Sequence, residues 1–326
     1  MQYAKISSTA HYVPEKQVTN DDLAQIMNTN DEWIRTRTGI ASRHIAVTEN
    51  TSELCTKVAK LLLEKAEIAA SELDFVLVAT MTSDYAMPST ASIVQGNIGA
   101  VNSFAFDLSA ACSGFVYALS VADKLICSGV YRAGLVIGAE VISKILDWND
   151  RSTASLFGDG AGGVLLTSSD QPCVLAEKLH ADGTRSKLLT AGFFPLSSPY
   201  SSSEEVYDEA YLKMEGRGIF DFAIRDIPKN ILEVLANAKI SATEVNAYLL
   251  HQANIRIIEK IAKKLQIPTA RFLLNIEEYG NTSAASIPIL LSEAVEKGEL
   301  VLGSRQKVVL TGFGGGLTWG TILLSL

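Results

Sequence analysis

A cysteine, a histidine and an asparagine stand out because each sits where one kind of element gives way to another. Cys112 lies in FDLSAACSGFVYALSVADKL, where strand-like residues end near Leu108, small residues follow and a helical pattern begins at about the cysteine. A thiol at a helix N-terminus meets unpaired backbone N–H groups and the positive end of the helix dipole. Both favour thiolate, so the pKa is expected below its ordinary value of about 8.5. Ala110, Ala111, Ser113 and Gly114 leave room for a substrate. Such a thiol suits nucleophilic attack and a covalent intermediate; the context also fits a buried structural cysteine, the usual fate of a free thiol. His251 ends the strand-like AYLLH, and a helix starts near Asn254. Strand carboxyl ends are where α/β sheets gather ligand groups, although a satisfied loop histidine fits as well. Asn281, in EEYGNTSAASIP, follows the turn-forming Gly280 and leads into a helix. It can cap that helix, or its carboxamide can donate to a developing oxyanion.

The elements that must hold these residues alternate along the chain. Leu54, Val58, Leu61 and Leu62 predict a helix over Thr51–Ala66. Asp74–Thr80, Ser103–Leu108, Ala133–Glu140 and Gly162–Thr167 read as strands, and Ser113–Ser128 as a helix ended by Gly129. Further on, Gly218–Ala238 reads as a helix bent or restarted at Pro228. Ala247–His251 is a strand, Asn254–Leu265 a helix, and Ser283–Lys297 a helix with Pro288 in its first turns. Lys307–Thr311 and Gly320–Leu324 are strands. This alternation predicts a mainly parallel, layered α/β fold. Residues 171–217, rich in Ser, Gly and Pro, read as a linker or long excursion. The division falls near 170, giving an N-terminal half 1–170 with the cysteine and a C-terminal half 171–326 with the histidine and asparagine. Gly158, Gly160 and Gly163 match the G-x-G-x-x-G spacing of dinucleotide loops. A strand, VLLT, follows them, so no helix N-terminus faces a pyrophosphate, and close backbone packing is the expected role.

Composition excludes whole classes of function. Of 326 residues, 48% are hydrophobic and 20% charged, which is globular and neither disordered nor fibrous. A net charge of −8 argues against a general nucleic-acid binder. No apolar run reaches the length of about 18 residues that marks a membrane span, and the N-terminus lacks a signal-like apolar core. The expected setting is the cytoplasm. The four cysteines are widely spaced, so neither a disulfide framework nor a metal site is expected, and Cys55, Cys127 and Cys173 read as structural thiols. An acidic chain that binds an anionic partner needs a local basic patch. Arg256, Lys260, Lys263 and Lys264 supply one. Their spacing shares a helix face, opposite Ile258, Ile261, Ala262 and Leu265.

Taken together, Cys112 in SAACSGF, His251 in HQAN and Asn281 in YGNTSAASIP resemble the Cys-His-Asn triad of the β-ketoacyl-acyl-carrier-protein synthase III family. NDEWIRTRTGI (30–40), FGDGAGG (157–163) and FGGGLTWG (313–320) match it as well. The resemblance runs from the N-terminus to the last strand. It implies a thiolase-like five-layered αβαβα sandwich of two similar halves. It also implies a reaction: an acyl group passes from acyl-coenzyme A to Cys112, malonyl-acyl-carrier protein loses carbon dioxide, and the resulting carbanion attacks the acyl-enzyme. His251 and Asn281 would stabilise the enolate oxygen. Backbone N–H groups of Cys112 and of Gly314, Gly315 and Gly316 would hold the thioester oxyanion, with Phe313 shielding the thiol. No cofactor or metal is implied, since acyl-coenzyme A is a substrate.

The same resemblance assigns coenzyme A contacts to Thr29, Trp33, Arg37, Arg151 and Asn254. An indole can stack on adenine and a guanidinium can pair with phosphate. The basic stripe from Arg256 to Lys264 would dock the acidic carrier protein. Asp221 departs from the pattern, standing where family members often carry a basic residue, so docking is expected to be shifted. Met87 matches a position that reaches across a homodimer to close the partner's acyl pocket. Its flexible side chain is expected to admit acetyl primers and to tolerate longer or branched ones. Other readings are a related condensing enzyme of quinolone or polyketide assembly, a Cys-His-Asn thioester hydrolase, and an inactive binding module. The intact triad speaks against the last.

Overall fold

The computed structural model describes residues 2–196, 198–200 and 210–326. Two sheets carry the fold. The five-stranded sheet contains β1 (Tyr3–Tyr12), β2 (Phe75–Ala79), β3 (Phe104–Leu108), β4 (Ala133–Glu140) and β5 (Gly160–Ser169), in the order β1-β5-β4-β2-β3. The four-stranded sheet contains β6 (Val174–Ala181), β7 (Ala247–Leu250), β8 (Lys307–Gly314) and β9 (Thr318–Ser325), in the order β7-β8-β9-β6.

Helices fill the layers around them. The principal ones are α1 (Asp31–Thr38), α2 (Thr51–Ala66), α3 (Thr90–Ile98), α4 (Gly114–Cys127), α5 (Gly216–Ala238), α6 (Ile255–Leu265) and α7 (Ser286–Glu296). α4 and α7 lie between the sheets and touch both. α2 and α3 cover the outer face of the first sheet, and α5 and α6 that of the second. The result is five layers, αβαβα. Both faces of each sheet are therefore covered, which is why β2 and β4 are buried at every position. The central layer is continuous: Phe115, Val116, Leu119 and Ile126 of α4 and Ile287 and Leu291 of α7 pack with Leu77, Val136, Leu249 and Leu310. Burying each such side chain contributes about 1.5–3 kcal/mol.

Local signals set the element ends. Asn50 and Glu53 form a capping box at the start of α2, and Gly99 and Gly129 take left-handed conformations just past α3 and α4. α5 runs through Pro228 as one element.

Two expectations are corrected. The sheets are mixed rather than mainly parallel: β2 pairs parallel with β3 and β4, and β7 with β8, while β1–β5, β4–β5, β8–β9 and β6–β9 are antiparallel. Alternating hydrophobicity does not encode direction. β8 and β9 are joined by the tight turn Gly315–Leu317, without a crossover helix, and must run opposite ways. Secondly, the stretch read as an excursion from 171 begins with an integral strand, β6, whose partial burial weakens its pattern. Positions 201–209 of that stretch lie outside the described residues. No helix of the described residues is long and apolar enough to cross a membrane.

Candidate active site

Cys112 occupies a 3-10 turn, Ala111–Ser113, between β3 and α4. Ala111 before it adopts φ +45°, a left-handed conformation that costs an alanine about 1–2 kcal/mol. The turn is held by Ser113, whose N–H and Oγ both donate to the Ala110 carbonyl at 3.1 and 2.7 Å, and by Thr318 Oγ1, which donates to the same oxygen at 3.1 Å. Gly314, ending β8, lies against the cysteine: a Cβ there would stand 2.8 Å from Cys112 Cβ and 3.1 Å from Sγ. Glycine is required by this close approach. Cys112 is 5% exposed. The expectation of a depressed pKa is not met in the free protein. Burial pushes the thiol up to about 12, against a hydrogen bond with Ser283 that favours thiolate. Withdrawal from water outweighs the helix start.

Asn281 and His251 approach from the second half. Asn281 and Phe157 form a parallel bridge, with Asn281 N–H donating to the Leu156 carbonyl at 2.9 Å and its own carbonyl accepting from Gly158 N–H at 3.1 Å. Its Oδ1 accepts from Ser283 N–H at 2.9 Å. The oxygen is thus engaged, and the amide NH2 is left as the free end of the side chain. His251 follows β7, its N–H donating to the Thr311 carbonyl, and its ring meets Phe313 edge-on at 5.3 Å. Nδ1 lies 2.7 Å from Ser286 Oγ, which accepts the Gln252 N–H at 3.4 Å. A serine hydroxyl keeps a second lone pair and one proton, so this contact accommodates both tautomers: Ser286 donating to Nδ1 leaves the ring proton on Nε2, and Nδ1–H donating to Ser286 leaves Nε2 as an acceptor. Burial lowers the His251 pKa to about 3, so the ring is neutral. Neither group is therefore a cation, and the Asn281 amide presents N–H donors.

The turn Asn281–Ser286 connects everything. It places Asn281, packs against the turn that carries Cys112, and meets His251 Nδ1 through Ser286. It sits close on the first sheet because Gly138 and Gly162 leave room: a Cβ on Gly138 would lie 2.3 Å from the Ala284 carbonyl oxygen, and one on Gly162 2.6 Å from Ile289 N. Gly158 and Gly160 lie in the same packing, Gly163 lies against Val136 and Ile137 of the neighbouring strand β4, and the strand β5 runs from Gly160 onward. Sequence reasoning missed Ser283, Ser286 and a buried carboxyl, Glu140, at the end of β4. An acid closing a wholly apolar strand was the one available signal. Glu140 accepts from Thr82 Oγ1 at 2.5 Å, Thr80 Oγ1 at 3.2 Å, Met81 N–H at 3.2 Å and Ser283 Oγ at 3.3 Å, and burial pushes it up to about 7.

A cavity of about 650 Å3 is lined by Ala111, the chain neighbour of Cys112, and by Gly315, Gly316, Tyr85, Ile145 and Leu189 among others; Cys112, His251 and Asn281 are not in its wall. Met87 is not part of its wall; it is 86% exposed. The candidate coenzyme A residues gather at one surface. Trp33, half-buried, carries Arg37 at 4.7 Å and Arg151 at 4.9 Å over its ring. Arg151 also donates to the Asn28 carbonyl at 2.7 Å. Thr29 Oγ1 is buried without a hydrogen-bond partner among the described residues. Asn254 caps α6 through Oδ1 and donates to the Arg37 carbonyl at 3.0 Å, so its side chain joins helices. Arg256, Lys260, Lys263 and Lys264 are all exposed on α6, and Arg256 reaches the Thr36 carbonyl of α1. The opposite face, Ile258, Ile261, Ala262 and Leu265, is buried. Asp221, exposed on α5, faces Arg217 one turn earlier at 4.0 Å.

Residues 106–183 match the family model described as 3-oxoacyl-[acyl-carrier-protein] synthase III, and residues 235–326 match its C-terminal model. A β-ketoacyl-[acyl-carrier-protein] synthase III of Lactococcus lactis is 58% identical over the whole of both chains. One of Streptococcus pneumoniae is 59% identical, again over the whole of both. The crystal structure of the 3-oxoacyl-[acyl-carrier-protein] synthase III of Aquifex aeolicus superposes with a TM-score of 0.92 at 44% identity, covering 99% of this chain and 100% of that one. The chain belongs to the β-ketoacyl-acyl-carrier-protein synthase III family, and it is a thiolase-like condensing acyltransferase that initiates fatty acid biosynthesis.

Proposed function

We propose that Cys112 carries the acyl group and that His251 and Asn281 drive decarboxylation. In the first half-reaction Sγ attacks the thioester carbonyl of an acyl-coenzyme A, the coenzyme A sulfur leaves, and an acyl-cysteine remains. In the second, the carboxylate of malonyl-acyl-carrier protein leaves as carbon dioxide. Its electron pair passes to the neighbouring thioester as an enolate, whose oxygen takes hydrogen bonds from His251 Nε2–H and the Asn281 amide. The enolate carbon then bonds to the acyl carbonyl, and Cys112 departs as a thiolate that regains a proton. The observation that carries this reading is that Asn281 Oδ1 accepts from Ser283 N–H and that His251 Nδ1 lies 2.7 Å from Ser286 Oγ, which we assign as the donor of that bond. Only donors remain for substrate. Neutral donors in a dry site are suited to an oxyanion that forms during the reaction.

The cavity at Ala111, the chain neighbour of Cys112, suits the acyl chain, and the Trp33–Arg37–Arg151 cluster suits the nucleotide end of coenzyme A. An adenine can replace one guanidinium on the indole face while the other pairs with phosphate. The exposed basic face of α6 suits an acidic carrier protein. A second copy of the chain supplies Met87 to close the cavity, and the enzyme works in the cytoplasm as a homodimer without metal or cofactor. The test is condensation of malonyl-carrier protein with acetyl- through octanoyl-coenzyme A, with Cys112→Ala as control. A β-ketoacyl product from wild type and none from the variant supports the reading, and free acid as the product overturns it. Strict acetyl specificity overturns the assignment of a permissive Met87.

A further inference from the structure

Glu140 is a carboxyl that the condensation does not use, yet it stands one side chain from the nucleophile. It ends β4 with no exposure to solvent. Four donors surround it: the hydroxyls of Thr80, Thr82 and Ser283 and the N–H of Met81. Ser283 lies beside both groups. Its backbone is held at φ +50° and its N–H at Asn281 Oδ1; its Oγ donates to Glu140 Oε1 at 3.3 Å, and its turn, Ser283–Ala285, packs directly against the Ala111–Ser113 turn that carries the thiol. A hydroxyl has one proton. When that proton points to Glu140, the Oγ lone pairs accept the thiol S–H.

We propose that Ser283 and Glu140 form the relay that removes the Cys112 proton during acylation, with Ser283 touching the reacting sulfur and Glu140 as the positioning carboxylate behind it. The proton balance closes. As Sγ bonds to the acyl carbon, its proton moves to Ser283 Oγ and the Ser283 proton moves to Glu140 Oε1. When the carbon–sulfur bond to coenzyme A breaks, the departing thiolate takes a proton back from Ser283, and Glu140 restores it. The carboxylate ends as it began. His251 is not available for this task if its Nδ1 and Nε2 are committed as described above.

The titratable and charged groups that face Glu140 are few. They are Cys112 from the turn before α4, Cys55 from α2, and Lys144 from the turn after β4, which lies between Glu140, Asp84 and Asp159. No ion pair joins any described cation to Glu140. Burial therefore dominates and brings the carboxyl to about 7, so it can both accept and return a proton near neutrality.

This inference rests on Cys112 being the acyl carrier. If mass spectrometry finds no acetyl group on wild-type Cys112 after mixing with acetyl-coenzyme A, the proposed function fails. The relay is then tested separately by the rate of that acetylation against pH, and by iodoacetamide alkylation at Cys112 followed on its peptide. Wild type is expected to rise through an inflection near pH 7. Glu140→Gln is expected to lose the inflection and to acetylate about 10²-fold more slowly with KM unchanged, while Glu140→Asp recovers part of the rate. Ser283→Ala leaves Glu140 in place and is expected to give the same loss, which keeps the test decisive if the glutamine variant does not fold. If Glu140 acts only as a buried negative charge, it repels the thiolate, and Glu140→Gln makes Cys112 more reactive. That acceleration, an unchanged Ser283→Ala, or a wild-type profile without the inflection each overturns the relay.

Discussion

A histidine that must donate a hydrogen bond to an enolate is useful only if it stays neutral and keeps its proton on the right nitrogen. Burial supplies the first condition, and the proposed donation from Ser286 to Nδ1 supplies the second. The folded pKa, about 3, lies below the ordinary value, so the ring remains uncharged down to strongly acidic pH. In an NMR titration from about pH 8 to 5, the His251 ring resonances are expected not to shift, whereas an ordinary histidine titrates in this window. A midpoint near 6.5 for His251 would contradict the buried, neutral ring. His251→Ala and Asn281→Ala are each expected to slow decarboxylation of malonyl-carrier protein about 10²–10³-fold and to leave acetylation of Cys112 by acetyl-coenzyme A nearly intact. Loss of both half-reactions would show that these residues serve the thiol itself. The three residues were legible because each stands at a strand–helix junction marked by glycine or small residues. The serines that orient them were not, since nothing in NTSAAS distinguishes one hydroxyl from another before the turn is folded. The raised Cys112 pKa was equally hidden. The groups that exclude water from it, Gly314 and the turn after Asn281, are distant in sequence.

Elements transmit these placements, and the turn that starts α7 is the most exacting. Gly138 in the middle of β4 lets the Ala284 carbonyl come so close that any side chain collides with backbone. Gly138→Ala is expected to cost about 1–3 kcal/mol, as overpacking does, read as a lower denaturant midpoint with an unchanged m value, and to slow both half-reactions because Asn281 and Ser283 move together. A variant as stable as wild type would mean the turn has slack. The dinucleotide-like glycine spacing belongs to the same packing, so its pattern reported closeness of backbone rather than a phosphate. α6 was read in full from its spacing, because a helix with one apolar and one basic face has a single way to lie on a sheet. Its basic face makes a separate claim. Arg256→Glu together with Lys263→Glu is expected to raise KM for malonyl-carrier protein on the order of tenfold, and wild type is expected to show the same trend as salt screens the charges. An unchanged KM would remove α6 from the docking surface. Strand direction was the element-level property that escaped, along with β6, whose residues are only partly buried and alternate weakly.

At the scale of the molecule, the first sheet ends in an open edge. β3 pairs with β2 on one side, and its other side has no strand partner among the described residues; isolated proteins normally blunt such an edge with charge, proline or a covering segment. Instead Phe106 is 38% exposed there, stacked at 6.2 Å on Phe104. Met87 is 86% exposed and is not in the wall of its own chain's cavity, although Tyr85 and Ala86 line that cavity. A second copy placed on β3 by a two-fold axis pairs the edge with itself in antiparallel register and covers the phenylalanines. It also gives Met87 a neighbour to close. Two coupled outcomes are expected. In sedimentation, wild type has twice the chain mass, and Phe106→Glu, with its fold checked by circular dichroism, shifts it to the monomer with loss of condensation. Met87→Trp stays dimeric and keeps acetyl transfer but loses octanoyl transfer, because the larger side chain fills the partner's cavity. The pairing is what makes this informative. An active Phe106→Glu monomer would mean each chain holds a complete site. A Met87→Trp dimer that still accepts octanoyl groups would mean the two copies meet elsewhere, leaving the edge of β3 and its phenylalanines to some other partner.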